Sequence, residues 1–186
     1  MATIDHEARK ITAKIVYWGP PGSGKWTNLE HVHRSTSPPE RPPVVKEGSV
    51  GFPLALGEMR GYRLVLSLLR CPSDGAWTRH VFDEIGDAPV DGVVFVADAT
   101  ASAQLANLAW LHKLTGELSA RGLDLGKLPA ALQYNKVDLP GVQTVEALRR
   151  QLNPWNHPDG EAVASQGRGV FETVKQVARG ILKALS

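Results

Sequence analysis

Apolar and polar positions along the chain change period repeatedly, and the changes mark out the elements. Lys14-Ile-Val-Tyr-Trp18 is a short, almost continuous apolar run that stops at a glycine turn, which predicts a buried strand. A helix follows from about Lys25 to Arg34, and Ser35 to Ser49, carrying Pro38, Pro39, Pro42 and Pro43, reads as a loop. Phe52–Leu56 and Tyr62–Leu69 alternate as strands, and Gly57 to Gly61 between them predicts a hairpin that supplies one antiparallel strand. Val93–Ala97 is a further buried strand, after which Leu105, Leu108, Leu111, Leu114 and Leu118 recur at helical spacing on one face. Ala131–Tyr134 predicts the next strand, Thr144 the N-cap of a helix reaching Leu152, and Ala162–Ala164 a last short strand. Val170, Val174, Val177 and Ile181 stripe a C-terminal helix. The alternation predicts an α/β fold, with a mainly parallel six-stranded sheet, helices on both faces and one domain over residues 1–186.

Composition narrows the class. With 42% hydrophobic and 22% charged residues, the chain is neither disordered nor fibrous, and 186 residues suffice for a full core without staples. A formal charge of +2 is too small to argue for nucleic acid as a partner. The single cysteine, Cys71, cannot form an internal disulfide. The charged start, the lack of a spanning apolar run, Ala2 where myristoylation needs glycine, and the Ala-Leu-Ser end predict a cytoplasmic protein without a direct membrane anchor.

The candidate chemistry begins where the first strand ends. Gly19-Pro-Pro-Gly22-Ser23-Gly24-Lys25 fills the G-x-x-x-x-G-K frame between a strand and a helix. Glycines there let backbone N–H groups turn inward around a phosphate, the helix start adds positive potential, and Lys25 supplies a point charge. The frame normally closes on Ser or Thr, whose hydroxyl ligates Mg²⁺, but this chain has Trp26. An indole has an N–H donor and no oxygen, so it is no ligand for a hard cation. Thr27 follows, and a step of about 100° along a helix is expected to turn its hydroxyl away from the phosphates. The alternative is a local shift that lets Thr27 or water fill in.

A second motif follows another predicted strand. In Asn135-Lys136-Val137-Asp138, the aspartate can accept two hydrogen bonds from the N1–H and 2-amino group of guanine, a donor pair that adenine lacks. Lys136 can lay its methylene stem over the base, and Asn135 can brace the neighbouring loops.

At these motifs the chain resembles the Ras-like small GTPases, and within them the bacterial MglA type that controls polarity and gliding motility. The resemblance includes Lys14-Ile-Val-Tyr-Trp-Gly-Pro20, Leu56-Gly-Glu-Met-Arg-Gly61, Val90-Asp-Gly-Val-Val-Phe-Val-Ala-Asp98, Gln133-Tyr-Asn-Lys-Val-Asp-Leu-Pro140 and Glu161-Ala-Val-Ala-Ser165. It implies a Ras-like P-loop fold, GTP or GDP as ligand, Mg²⁺, slow hydrolysis, and a roadblock-type (MglB-like) regulator as partner. It implies that Gly19, Gly22, Ser23, Gly24, Lys25, Trp26 and Thr27 face phosphate. Asn135, Lys136 and Asp138 would hold guanine, with Ala164, Ser165 and Gln166 forming the loop whose N–H groups meet the guanine oxygen.

Three departures concern the metal and the attacking water. One is Trp26. Another is the lack of any threonine between Ser37 and Trp77, with Ser49 the remaining hydroxyl near the right place. The third is Arg70-Cys-Pro-Ser-Asp74 where MglA-type proteins resemble Thr-x-Pro-Gly-Gln, so that Asp74 stands where a glutamine would orient water. Asp74 either adds like charge beside the γ-phosphate or belongs to a rebuilt loop pointing into solvent. The expectation is a guanine-nucleotide-binding switch or adaptor that is a weak or inactive GTPase, with no metal ligand assigned. The alternatives are a partner-activated GTPase with rearranged Mg²⁺ ligation and a nucleotide-independent scaffold. Elsewhere, His31 and His33 are not spaced as a metal pair, Asp83, Glu84, Asp87 and Asp91 read as a solvated acidic edge, and Cys71 as a packing residue.

Overall fold

A computed structural model describes residues 2–36, 44–46, 49–59, 61–71 and 90–185. Its strands are β1 (Thr3–Asp5), β2 (Lys10–Trp18), β3 (Val44–Lys46), β4 (Ser49–Met59), β5 (Tyr62–Arg70), β6 (Gly92–Asp98), β7 (Ala130–Asn135) and β8 (Asp159–Ala162). The helices are α1 (Lys25–Thr36), α2 (Gln104–Ser119), α3 (Val145–Leu152) and α4 (Val170–Ala184). All eight strands join one sheet, in the order β3-β4-β5-β2-β6-β7-β8, with β1 paired to β2.

The five strands β5, β2, β6, β7 and β8 run parallel, and the β4–β5 hairpin brings in the antiparallel strand that alternation predicts. Two three-residue strands extend the expected six to eight. β1 runs against Lys10–Thr12, where β6, which pairs only from Ile15 onward, leaves that edge of β2 open. β3 folds back on the start of β4 from within the proline-containing stretch. The last strand is Asp159–Ala162 rather than Ala162–Ala164, because Ala164–Gln166 instead turns as a 3₁₀ helix closed by the left-handed Gly167.

Period-two alternation sends β2 into two cores at once. Ala13, Ile15 and Tyr17 pack with Leu29 and Val32 of α1 and with Val174, Val177 and Ile181 of α4. Val16 and Trp18 pack on the other face with Leu114 and Leu118 of α2 and Leu148 and Leu152 of α3. Both faces of β6 are covered, which explains its unbroken apolar run. The leucine stripe of α2 is buried only from its middle onward: Leu105 is 80% exposed and Leu108 36%, whereas Leu111, Leu114 and Leu118 lie in the core. Periodicity identified the face and not where the sheet beneath it ends. Thr144 caps α3 by accepting from the Ala147 N–H at 3.2 Å. Asp91, expected on a solvated edge, is buried, and its carboxylate accepts the Lys14 N–H at 2.8 Å. Asp83, Glu84 and Asp87 lie outside the described residues, as do Asp74 and the prolines of the 35–49 stretch.

Candidate functional site

The parallel strands β2, β6 and β7 deliver their C-terminal ends to one edge of the sheet, where a ligand crevice is expected in an open α/β sheet. The loop from Gly19 to Gly24 leaves β2 here. Gly19, Gly22 and Gly24 all take positive φ, at 143°, 71° and 100°. A Cβ on Gly19 would lie 2.1 Å from the Val96 carbonyl oxygen, and one on Gly24 would lie 2.1 Å from Asn135 Nδ2. Glycine at these two positions is therefore required both by backbone conformation and by contact.

Asn135 ends β7 and ties two loops together. Its Nδ2 donates to the Ser23 carbonyl at 2.7 Å, and its Oδ1 accepts the Ala164 N–H at 2.9 Å. It is 3% exposed, so both bonds are shielded from competing water. Below it, buried Gln133 donates to Asn28 Oδ1 at 2.9 Å and to Thr173 Oγ1 at 3.0 Å, while Asn28 Nδ2 donates to the Gly24 carbonyl at 2.9 Å. This network joins α1, β7 and α4 beneath the glycine loop.

Lys136 adopts φ +69°, a left-handed backbone that carries the chain out of the strand. Its ammonium donates to Asp98 Oδ2 at 2.6 Å, and Asp98 Oδ1 accepts from the Thr100 N–H at 3.0 Å and the Thr100 hydroxyl at 2.8 Å. Burial alone would raise the Asp98 pKa, but hydrogen bonds from Lys136 and Thr100 hold it below the usual carboxylate range. Asp98 was not singled out from the sequence. Its only signal was its place at the end of a buried strand, opposite Asn135 in the β6–β7 register.

A cleft of about 230 Å³ lies over this scaffold, lined by Gly22, Gly24, Thr27, Asn135, Lys136, Asp138, Leu139, Val163, Ala164 and Ser165. Asp138 is exposed at its mouth. Of the residues expected at the site, Gly19, Ser23, Lys25, Trp26 and Gln166 are not in its wall. Gly19 and Ser23 shape the loop from behind, and the Gln166 N–H is taken by the Val163 carbonyl at 2.9 Å. Thr27 contributes to the cleft wall, and Trp26 is 39% exposed.

Lys25 is 4% exposed, and its ammonium donates to the carbonyls of Gly19 at 2.5 Å and Pro20 at 2.7 Å. It also lies 5.5 Å from the centroid of the Trp110 ring, over which Lys113 sits at 4.8 Å. Trp110 is held in place by the Trp18 indole N–H, which donates to its carbonyl at 2.9 Å. Burial pushes the Lys25 pKa down to about 8; Cys71 opposes that shift and Arg70 adds to it. Burial pushes the Cys71 thiol up to about 12, so at neutral pH it is uncharged.

Mg²⁺ beside a nucleotide keeps several waters and takes further oxygens from the phosphates, so the chain would need to supply only one or two. Among the described residues at the start of α1, Thr27 lines the cleft and carries a hydroxyl. Trp26 offers none. Among the described residues no group of three or more His, Cys, Asp or Glu is placed to hold a metal. His31 and His33 instead make edge-on contacts with Phe171 and Phe52.

Over 193 aligned positions, covering all of this chain and 98% of the relative, the sequence is 38% identical to the mutual gliding-motility protein MglA of Myxococcus xanthus. The chain belongs to the MglA family of Ras-like small GTPases. No protein-family model matches it. Membership accounts for the mixed sheet and for the glycine loop and Asn-Lys-x-Asp turn at one sheet edge, and it makes guanine nucleotide the family's ligand. Among the described residues no helix is long and apolar enough to cross a membrane.

Proposed function

We propose that this MglA-family chain binds GTP or GDP through its base-reading end and is a weak or inactive GTPase, serving as a regulatory switch or adaptor of the polarity and motility type. The observation that carries the binding half is the double brace of Asn135, which fixes Ser23 of the glycine loop and Ala164 of the base loop while Asp138 stands at the cleft mouth. Gly22, Gly24, Lys25 and Thr27 would meet the phosphates. Asp138 would read N1–H and the 2-amino group of guanine, with Lys136 and Ser165 flanking the base. The hydrolysis half is supported by Trp26, which offers no oxygen where the motif places a metal-binding hydroxyl, and by Asp74 in place of a water-orienting glutamine. Its partner would be a roadblock-type cytoplasmic regulator.

Denaturing the purified protein and chromatographing the released small molecules tests the binding half: GDP or GTP is expected. Recovery of ATP, or of nothing after saturating incubation with GTP and GDP, would overturn it. Phosphate release from GTP is expected to stay at background with or without a roadblock-type protein. Magnesium-dependent release stimulated by that partner would replace this reading with a partner-activated GTPase.

A further inference from the structure

Alternation in β7 packs Leu132 and Tyr134 on one face and sends Ala131, Gln133 and Asn135 toward the face that α1 and α4 cover. Beneath the glycine loop that second face is not apolar. It buries Asn28, Gln133 and Thr173, each 4% exposed or less. Apolar side chains of the same shape would stabilise the fold about as well, because buried polar groups recover little beyond the cost of their desolvation. What the hydrogen-bonded trio adds is direction.

Each donor in the trio is fixed by its neighbour. A backbone carbonyl only accepts, so the Asn28 atom that faces the Gly24 oxygen at 2.9 Å is Nδ2, and Oδ1 is left to face β7. Gln133 must then present its amino group, which reaches Asn28 Oδ1 at 2.9 Å and Thr173 Oγ1 at 3.0 Å. The Thr173 hydroxyl proton goes to the Gly169 carbonyl at 2.8 Å, so its oxygen is free to accept from Gln133. Gln133 Oε1 finds no partner among the described residues, so one bond is forgone to keep the donors running toward Gly24. The Gly24 carbonyl receives a second bond from Asn28, through its N–H at 3.0 Å. In a planar trans peptide the C=O and N–H point in opposite directions. Holding the Gly24 carbonyl along α1 therefore aims the Lys25 N–H out of the helix start, toward the loop where an anion is favoured. We infer that Asn28 and Gln133 are positioning residues for phosphate: they hold the Gly24–Lys25 peptide in its anion-facing direction. They set affinity for the phosphates separately from affinity for the base, which Asn135 braces through bonds of its own. The inference rests on the nucleotide reading above and adds two residues to it.

The test compares two ligands of the nucleotide-stripped full-length protein: GDP, followed by fluorescent-nucleotide titration, and guanosine, which lacks phosphate, followed by ligand-detected NMR. Asn28→Leu keeps the shape and removes the donor, and is expected to lower GDP affinity roughly tenfold while guanosine affinity stays within about twofold of wild type. Asn28→Asp sets a carboxylate oxygen against the Gly24 carbonyl and is expected to lower GDP affinity about 10- to 100-fold, again sparing guanosine. Circular dichroism checks the fold of each variant. Where a single change leaves a buried group stranded and the protein does not fold, the double variant Asn28→Leu with Gln133→Leu carries the same test, because Thr173 keeps its bond to Gly169 and the trio becomes apolar. Wild-type GDP affinity in a folded variant, or equal losses for GDP and guanosine, would overturn the positioning role while leaving nucleotide binding intact. Failure of all three variants to fold would make the trio structural and overturn it as well. Wild-type protein that binds neither ligand would overturn the nucleotide reading, and this inference with it.

Discussion

At the base end of the cleft, Asn135 spends both ends of its amide on two different loops, Lys136 is pinned by Asp98, and Asp138 stands exposed where a base would arrive. At the phosphate end, the glycines hold their positive φ angles, yet the residue after Lys25 is an indole, 39% exposed, where the motif places a hydroxyl. The base end depends on where β6 and β7 stop and on the side chains of Asn135, Lys136 and Asp98, whose bonds are in place. The metal end of the motif depends on single hydroxyls, above all the one that normally follows the motif lysine. The two ends can therefore diverge: a Ras-like chain can retain its base-reading architecture while the donors that handle metal and water are replaced.

Four changes probe that contrast, the first expected to have the largest effect. Asp138→Asn removes one charge-assisted acceptor from a pair of guanine bonds, so GDP affinity should fall about 100-fold with the melting temperature unchanged. An unaltered affinity would mean that base reading lies elsewhere. Gly24→Ala forces a Cβ against Asn135 Nδ2 at φ +100° and should cost about 1–3 kcal/mol of stability. It should also lower GDP affinity roughly tenfold, because the same contact carries the brace. A melt and a titration of this variant would show whether the two losses arise together.

The third probe is pH. Bound phosphate favours charged Lys25, whose pKa in the free protein is lowered to about 8. GDP affinity should thus be flat below that value and fall by up to about tenfold per pH unit above it, since each binding event must then take up a proton. Lys25→Arg, which stays protonated, should flatten the fall; a wild-type profile flat to pH 9.5 would contradict the assignment. The smallest effect is optical. Nucleotide should draw the Lys25 ammonium from the Trp110 face, altering tryptophan emission in wild type and Trp26→Phe but not in Trp110→Phe. A response lost in Trp26→Phe instead would place the indole of α1 beside the phosphates after all.

Much of the scaffold was legible because local signals and tertiary structure agree. The apolar run ending at Trp18, the cap at Thr144 and the stripe from Val170 to Ile181 each occupy the element they predict. The glycine loop and Asn135 were legible as motifs because their spacing encodes backbone geometry. Other features depend on neighbours distant in sequence. Nothing local joins Lys136 to Asp98, 38 residues away, or sets Trp110 over Lys25. Leucine periodicity could not show that Leu105 overhangs the sheet, and the three residues of β1 are strand only because β2 has an open edge.

The central claim is that the base end recognises guanine even though the metal end has changed. Calorimetric titration of the nucleotide-stripped chain with GDP and, separately, with ADP tests it most directly. The account predicts saturable binding of one GDP per chain, at least about 100-fold tighter than ADP. Equal affinities for the two, or no heat with GDP, would contradict it.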